Sequence, residues 1–111
     1  MENNDIVILE LDRPRQLRLG HKVLKRYLAK TGLKMKQFDE SVQDYENLCC
    51  LIYEMLHEED PNLTPEACDD LLDMVPISEI YLKGAEAIKV GFGNQDETES
   101  EEKAKNPTKV Q

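Results

Sequence analysis

The residues best suited to chemistry fall in one stretch, HEEDPNLTPEACDDLLDMV, residues 57–75, which holds a histidine, seven carboxylates, a cysteine and two prolines. Metal binding is the first chemistry such a stretch suggests. A zinc helix needs two histidines at i and i+4, but His57 is followed by acids and then Pro61. Cys68 lies eleven residues away, and neither C-x-x-C nor H-x-x-x-H spacing occurs in the chain. A calcium loop counted from Asp60 would place Asn62 and Thr64 at positions 3 and 5. It would then put Pro65 where glycine is needed and Leu71 where a bidentate glutamate is needed. Neither pattern is met.

Nucleophilic catalysis fares no better. His21 and His57 are the only histidines, and no serine elbow lies near either. Cys49 falls on the apolar stripe of a helix, where an inert thiol is expected, and Cys50 lies one residue off it. No glycine-rich phosphate loop is present. The expectation is a non-enzyme with no metal and no cofactor. The stretch reads instead as a helix end, a proline-set corner and a capped helix start. Glu58, Glu59 and Asp60 are expected to solvate the helix end, and Asp69, Asp70 and Asp73 to line an exposed face.

The elements around that corner follow from hydrophobic period. Val7, Leu9 and Leu11 alternate, then Leu17 and Leu19 alternate around Arg18, which predicts a β-hairpin over about residues 6–19 with Pro14 in its turn. From His21 the period becomes helical: Val23, Leu24, Tyr27 and Leu28 form one stripe, and Gly32 stands where a glycine closes a helix. Lys22, Lys25, Arg26 and Lys30 take the opposite face. Leu33, Met35 and Phe38 make a short apolar connection. The clearest helix runs from about Gln43 to His57 on Tyr45, Leu48, Cys49, Ile52, Met55 and Leu56, entered through a cap at Asp39 or Ser41. Thr64 and Pro65 supply an N-cap hydroxyl and an N1 proline for the next helix, whose inner face reads Ala67, Leu71, Leu72 and Val75 before Pro76 ends it. The last helix spans about Ser78 to Val90, with Ile77, Ile80, Tyr81, Gly84, Ala87, Ile88 and Gly91 at helical spacing. Gly84, Ala85 and Ala87 are small enough to admit another backbone.

The fold class predicted is therefore mainly α: about four helices with a short N-terminal hairpin, forming one domain over residues 1–93. Residues 94–111 contain a single sizeable aliphatic, Val110, and are expected to be a disordered acidic tail. Met1–Asp5 is polar and the following IVIL is too short for a signal segment, so a reducing cytoplasm is the expected compartment. No stretch approaches membrane-spanning length.

The net charge of −9 is unevenly distributed. Residues 1–38 carry nine Lys or Arg against four acids, and residues 39–93 carry two against fourteen. Such polarity reads as a nucleic-acid face or as complementary docking of a basic half on the acidic half of another copy. The candidate electrostatic face is Arg13, Arg15, Arg18, Lys22, Lys25 and Arg26. The acidic half and the scarcity of stacking aromatics near those residues argue against nucleic acid.

The order of these features resembles a known family. LDRPRQLRLGHKVLKRYLAKTG is similar to the entry segment of tail assembly chaperones from long-tailed phages and prophages of Gram-positive bacteria: a short strand, a Pro-Arg turn, a Leu-Arg pair and a helix closed by glycine. LCCLIYEMLHEEDPNLTPEACDDLLD is similar to that family's His-Glu-Asp helix end, Leu-Thr-Pro-Glu corner and Asp-Leu-Leu-Asp helix. KGAEAIKVGFG resembles its Ala-rich last helix. The resemblance covers roughly residues 6–93.

It implies a non-enzymatic role: binding the long, apolar, helical tape-measure protein, keeping it soluble, and helping tail-tube subunits polymerise around it. The expected site of action is the host cytoplasm, and the protein is expected to be absent from the mature virion. The tail-tube protein and a second copy of the chain are further expected partners. A small helical domain with shallow apolar grooves suits helix-in-groove masking. The candidate partner-binding residues are Tyr81, Gly84, Ala85 and Ile88 of the last helix and Tyr53 on the outer side of the long one. The alternative is a small regulatory protein that binds nucleic acid or another protein through the basic N-terminal third.

Overall fold

The computed structural model describes residues 6–93, so the expected tail, 94–111, lies outside the described residues. The chain opens with strands β1 (Val7–Glu10) and β2 (Pro14–Leu17), paired antiparallel with Val7 opposite Leu17 and Leu9 opposite Arg15. Leu11, Asp12 and Arg13 make the turn, closed by the Leu11 amide donating to the Arg13 carbonyl at 3.1 Å. Pro14, expected in the turn, instead opens β2 opposite Glu10. A proline is tolerated at the first residue of a two-stranded edge, where no ladder hydrogen bond is lost. Val7, Leu9, Arg15 and Leu17 all point inward.

Helix α1 (His21–Thr31) buries Val23 and Tyr27 and ends at Gly32, whose φ of 73° and amide bond to the Leu28 carbonyl close it as the glycine predicts. The connection that follows is more structured than its sequence suggests. A 3-10 turn (Met35–Gln37) runs into the single-turn α2 (Phe38–Ser41), which makes five α-helices among the described residues where about four were expected. Phe38 is the cause. Its ring meets Tyr27 edge-on at 5.6 Å and stacks on Phe92 at 5.5 Å, so one buried aromatic pins the segment to both ends of the fold.

The long helix α3 (Tyr45–Glu59) begins later than predicted, because Asp39 and Ser41 belong to α2 and the capping carboxylate is Asp44, accepting from the Asn47 amide at 3.2 Å. Ser41 serves the core instead. Its hydroxyl donates to the Phe38 carbonyl at 2.7 Å, which leaves the Tyr27 hydroxyl to donate to it at 2.8 Å. Helix α3 touches α1, α4, α5 and β2, and is therefore buried on more of its circumference than one stripe. Leu51 and Glu54 join the predicted inner residues.

Thr64 caps α4 (Pro65–Leu72), accepting from the Ala67 amide at 3.1 Å with Pro65 at N1, as read from sequence. Leu72 is buried and Leu71 and Val75 pack against the core as predicted, but the inner face is turned toward Cys68, which is buried where Ala67 is exposed. Pro76 caps the start of α5 (Ile77–Gly91). Ile80, Gly84 and Ala87 of α5 face the core, while Gly91 comes so close to Leu19 that an added Cβ would stand 2.7 Å from its Cβ and its carbonyl oxygen. No helix among the described residues is long and apolar enough to cross a membrane.

Candidate partner-binding surface

Around His57 the structure has a tight corner. The Tyr53 and His57 rings stack at 5.2 Å, the Tyr53 hydroxyl donates to the Leu63 carbonyl at 3.0 Å, and His57 Nδ1 lies 3.2 Å from the same oxygen. Tyr53, expected on the outer side of α3, is half-buried and committed to this corner. Its ring also lies 5.4 Å from the Lys30 ammonium. Burial pushes the Cys68 thiol up to about 12 and also raises Cys49 and Cys50, so all three favour the protonated, weakly nucleophilic form at neutral pH. Among the described residues, no group of three or more His, Cys, Asp or Glu could hold a metal ion.

The acids of this corner do more than solvate a helix end, which corrects the first expectation. Glu59 accepts the Gln16 amide at 3.2 Å, and Asp60 accepts Arg15 Nη1 at 3.1 Å. Glu58 accepts from Arg26. Together they fasten the hairpin and α1 to the end of α3. Asp69, Asp70 and Asp73 are exposed, as expected.

The predicted basic face is corrected in the same way. Arg15 is only 5% exposed and forks onto Asp12 with bonds of 2.9 and 2.8 Å while reaching Asp60. Those hydrogen bonds raise its pKa, and Arg15 in turn holds the Asp12 carboxyl below its ordinary value. Arg13 lies 4.0 Å from Glu59 and 3.9 Å from Asp60. Arg26 bonds Glu54 at 3.1 Å and also Glu58, and Lys30 reaches Glu54 at 2.7 Å. Arg13, Arg15 and Arg26 thus dock on acids of their own chain, so part of the complementarity between halves is satisfied intramolecularly. Arg18, Lys22 and Lys25 stay exposed. Glu54, at 2% exposure, went unmarked in the sequence because it sits between apolar neighbours on a helix read as one-sided. Arg15 had a signal: it stands two residues before Leu17, on the same face of the strand.

Of the candidate partner-binding residues, Tyr81, Ala85 and Ile88 are brought together. With Asp39, Val42, Gln43 and Leu48 they line a cleft of about 250 Å³ between α5 and the α2–α3 segment. Tyr81 is 41% exposed, and its ring lies 5.5 Å from Tyr45, which borders a second cleft of about 410 Å³ running between α4 and the start of α5. Ile77, 60% exposed, lines that second cleft. Ile77, Tyr81 and Ile88 share a face of α5 that is flanked by the two clefts, with the Tyr45–Tyr81 ring pair standing between them; this face with its clefts is the candidate groove. Gly84 is not part of it. The approach that its small size admits comes from inside: an added Cβ would stand 3.0 Å from Leu48 Cδ1 and 3.4 Å from Ile52 Cδ1. Tyr53 borders a further cleft of about 510 Å³ with Tyr27, Tyr45, Cys49 and Cys50, which adjoins the cleft beside α4 through Tyr45, Cys49 and Asp69.

Sequence reasoning missed Ile77 and Tyr45 as groove residues. Both carry the apolar periodicity of core positions, and only the packing of neighbouring elements decides which edge of a stripe stays open. Comparison with family models, curated proteins and solved structures finds no match for this chain.

Proposed function

We propose that the chain is a non-enzymatic tail assembly chaperone that binds an apolar helical segment of a phage tape-measure protein along α5, holds it in solution and releases it as tail-tube subunits assemble. It acts in the host cytoplasm and does not enter the virion. The single observation that carries the reading is the exposed apolar face of α5, formed by Ile77, Tyr81, Ala85 and Ile88 and flanked by two clefts. The resemblance of residues 6–93 to that chaperone family supports it. A groove of this kind masks a helix by burying i, i+4 and i+7 anchors that would otherwise drive aggregation. Arg13, Arg15 and Arg26 are engaged by the chain's own acids, which leaves Arg18, Lys22 and Lys25 as the exposed cations on which the regulatory alternative rests.

The test is affinity capture of the tagged chain from cells producing the phage, washed at low and at high salt. A very long helical protein retained through the high-salt wash is the expected result. Tyr81→Asp should lower its retention by about 30-fold, the loss of one buried aromatic anchor worth ~2 kcal/mol. Nucleic acid recovered at low salt only, with no such protein, would overturn the proposal.

A further inference from the structure

The groove along α5 has a rim as well as a floor, and the rim is charged with one sign. Asp69, Asp70 and Asp73 line the cleft at the α4 side, and Asp39 lines the cleft at the α2 side. Among the described residues, no lysine or arginine lines either cleft. Lys83 of α5 points elsewhere: it lies 3.9 Å from Glu86, on the side of the helix away from Tyr81. The arrangement is thus an apolar strip with carboxylates at both ends of its length. Ile77 to Ile88 spans about 16 Å at 1.5 Å per residue, the length of three helical turns.

We infer that the groove selects an amphipathic helix whose apolar face is flanked by lysines or arginines, and that it rejects the same apolar face flanked by acids. This rests on the partner-binding reading above and adds the chemical class of the partner. Apolar anchors would fill the floor against Tyr45 and Tyr81, and the partner's cations would meet Asp39 at one end and the three aspartates of α4 at the other. Burying the groove under a neutral or acidic helix would desolvate or crowd those carboxylates without replacing their water, which costs affinity. Rim charges of this kind steer association and fix the direction of the bound helix more than they add to its affinity.

The experiment uses the whole chain and three fluorescent synthetic helical peptides. All share one apolar face of Leu and Ile, and they differ only in flanking positions, filled with Lys and Arg, with Gln, or with Glu. At low ionic strength the basic peptide should bind about tenfold more tightly than the Gln peptide, and the acidic peptide more weakly than both. High salt should bring the three together. The quadruple variant Asp39→Asn, Asp69→Asn, Asp70→Asn, Asp73→Asn should lose the preference, with the Gln peptide binding at least as tightly as to the unsubstituted chain because no carboxylate is desolvated beneath it. These aspartates are exposed, so the variant is expected to fold, and circular dichroism checks this. Equal binding of basic and Gln peptides at low salt would overturn this inference while leaving the apolar groove intact. Failure of all three to bind would overturn both readings. Unchanged affinity of the basic peptide for Tyr81→Ala would place the site elsewhere and also overturn it.

Discussion

Glu54 lies at 2% exposure between Arg26 Nε at 3.1 Å and Lys30 Nζ at 2.7 Å, and those cations are themselves 36% and 62% exposed. The triad is therefore lopsided. Removing the carboxylate lets both cations turn to water, whereas removing the cations strands a buried acid. The double substitution Arg26→Ala, Lys30→Ala should cost about 3–5 kcal/mol, while Glu54→Met, apolar and similar in volume, should cost far less. Urea titrations of the two variants make the comparison. Surface carboxylates add a pH dependence. Arg15 holds Asp12 below its ordinary 3.8, and Arg26 holds Glu58 below its ordinary 4.5. Both groups bind fewer protons folded than unfolded at acid pH. Their contribution is thus complete above pH 4.5 and lost as pH falls through the lowered folded values. The urea midpoint should hold from neutrality to that point and then fall, shallowly and less so in high salt, because both acids sit at the surface. A midpoint that rises on acidification would refute the assignment.

At the scale of elements, what was legible in the sequence is what local chemistry decides. Gly32 and the Thr64–Pro65 pair mark a helix end and a helix start because a left-handed residue and a hydroxyl cap act without tertiary help. The start of α3 was misplaced because Asp39, Ser41 and Asp44 are all competent caps, and only the burial of Phe38 hands the first two to α2. The rotation of α4 has a similar cause. In eight residues, the stripes through Ala67 and through Cys68 fit the period almost equally, and packing on α3 chooses the cysteine. The junction between α5 and the hairpin was invisible, since a small residue in a sequence does not say what approaches it. It can be tested at Gly91. Alanine there gains up to ~1 kcal/mol of helix propensity, but its Cβ would stand 2.7 Å from the Leu19 carbonyl oxygen, a backbone atom that cannot rotate aside. Gly91→Ala should be net destabilising by about 1–3 kcal/mol, read from the thermal midpoint. A stabilised variant would mean that the α5 end slides freely on the hairpin.

For the whole molecule, the separation of charge between the first 38 residues and the next 55 is a folding device before it is a surface property. Pairs that would have served a neighbouring copy or a nucleic acid are closed within one chain, across 45 residues for Arg15 and Asp60 and 32 for Arg26 and Glu58. Sequence could show the imbalance and not the closure, because it carries no distances. The candidate groove was partly legible for the opposite reason. Tyr81, Ala85 and Ile88 already formed a small-and-aromatic edge on a helix, whereas Gly84 and Tyr53 had the right types but were used internally.

The hairpin's dependence on residues so far along the chain has a consequence in time. Residues 7–17 leave the ribosome long before Asp60 does, and a two-stranded hairpin is marginal by itself. The hairpin, though made before α3, is therefore among the last elements to become stable, waiting with Leu9 and Arg15 exposed until α3 and α5 exist to receive them. In refolding kinetics the Arg15 contacts should then be absent from the transition state. Arg15→Met, costing about 1–2 kcal/mol, should speed unfolding roughly 5- to 30-fold and leave the folding arm of the chevron almost unmoved. A slowed folding arm would instead mean that the hairpin docks early and guides the helices made after it.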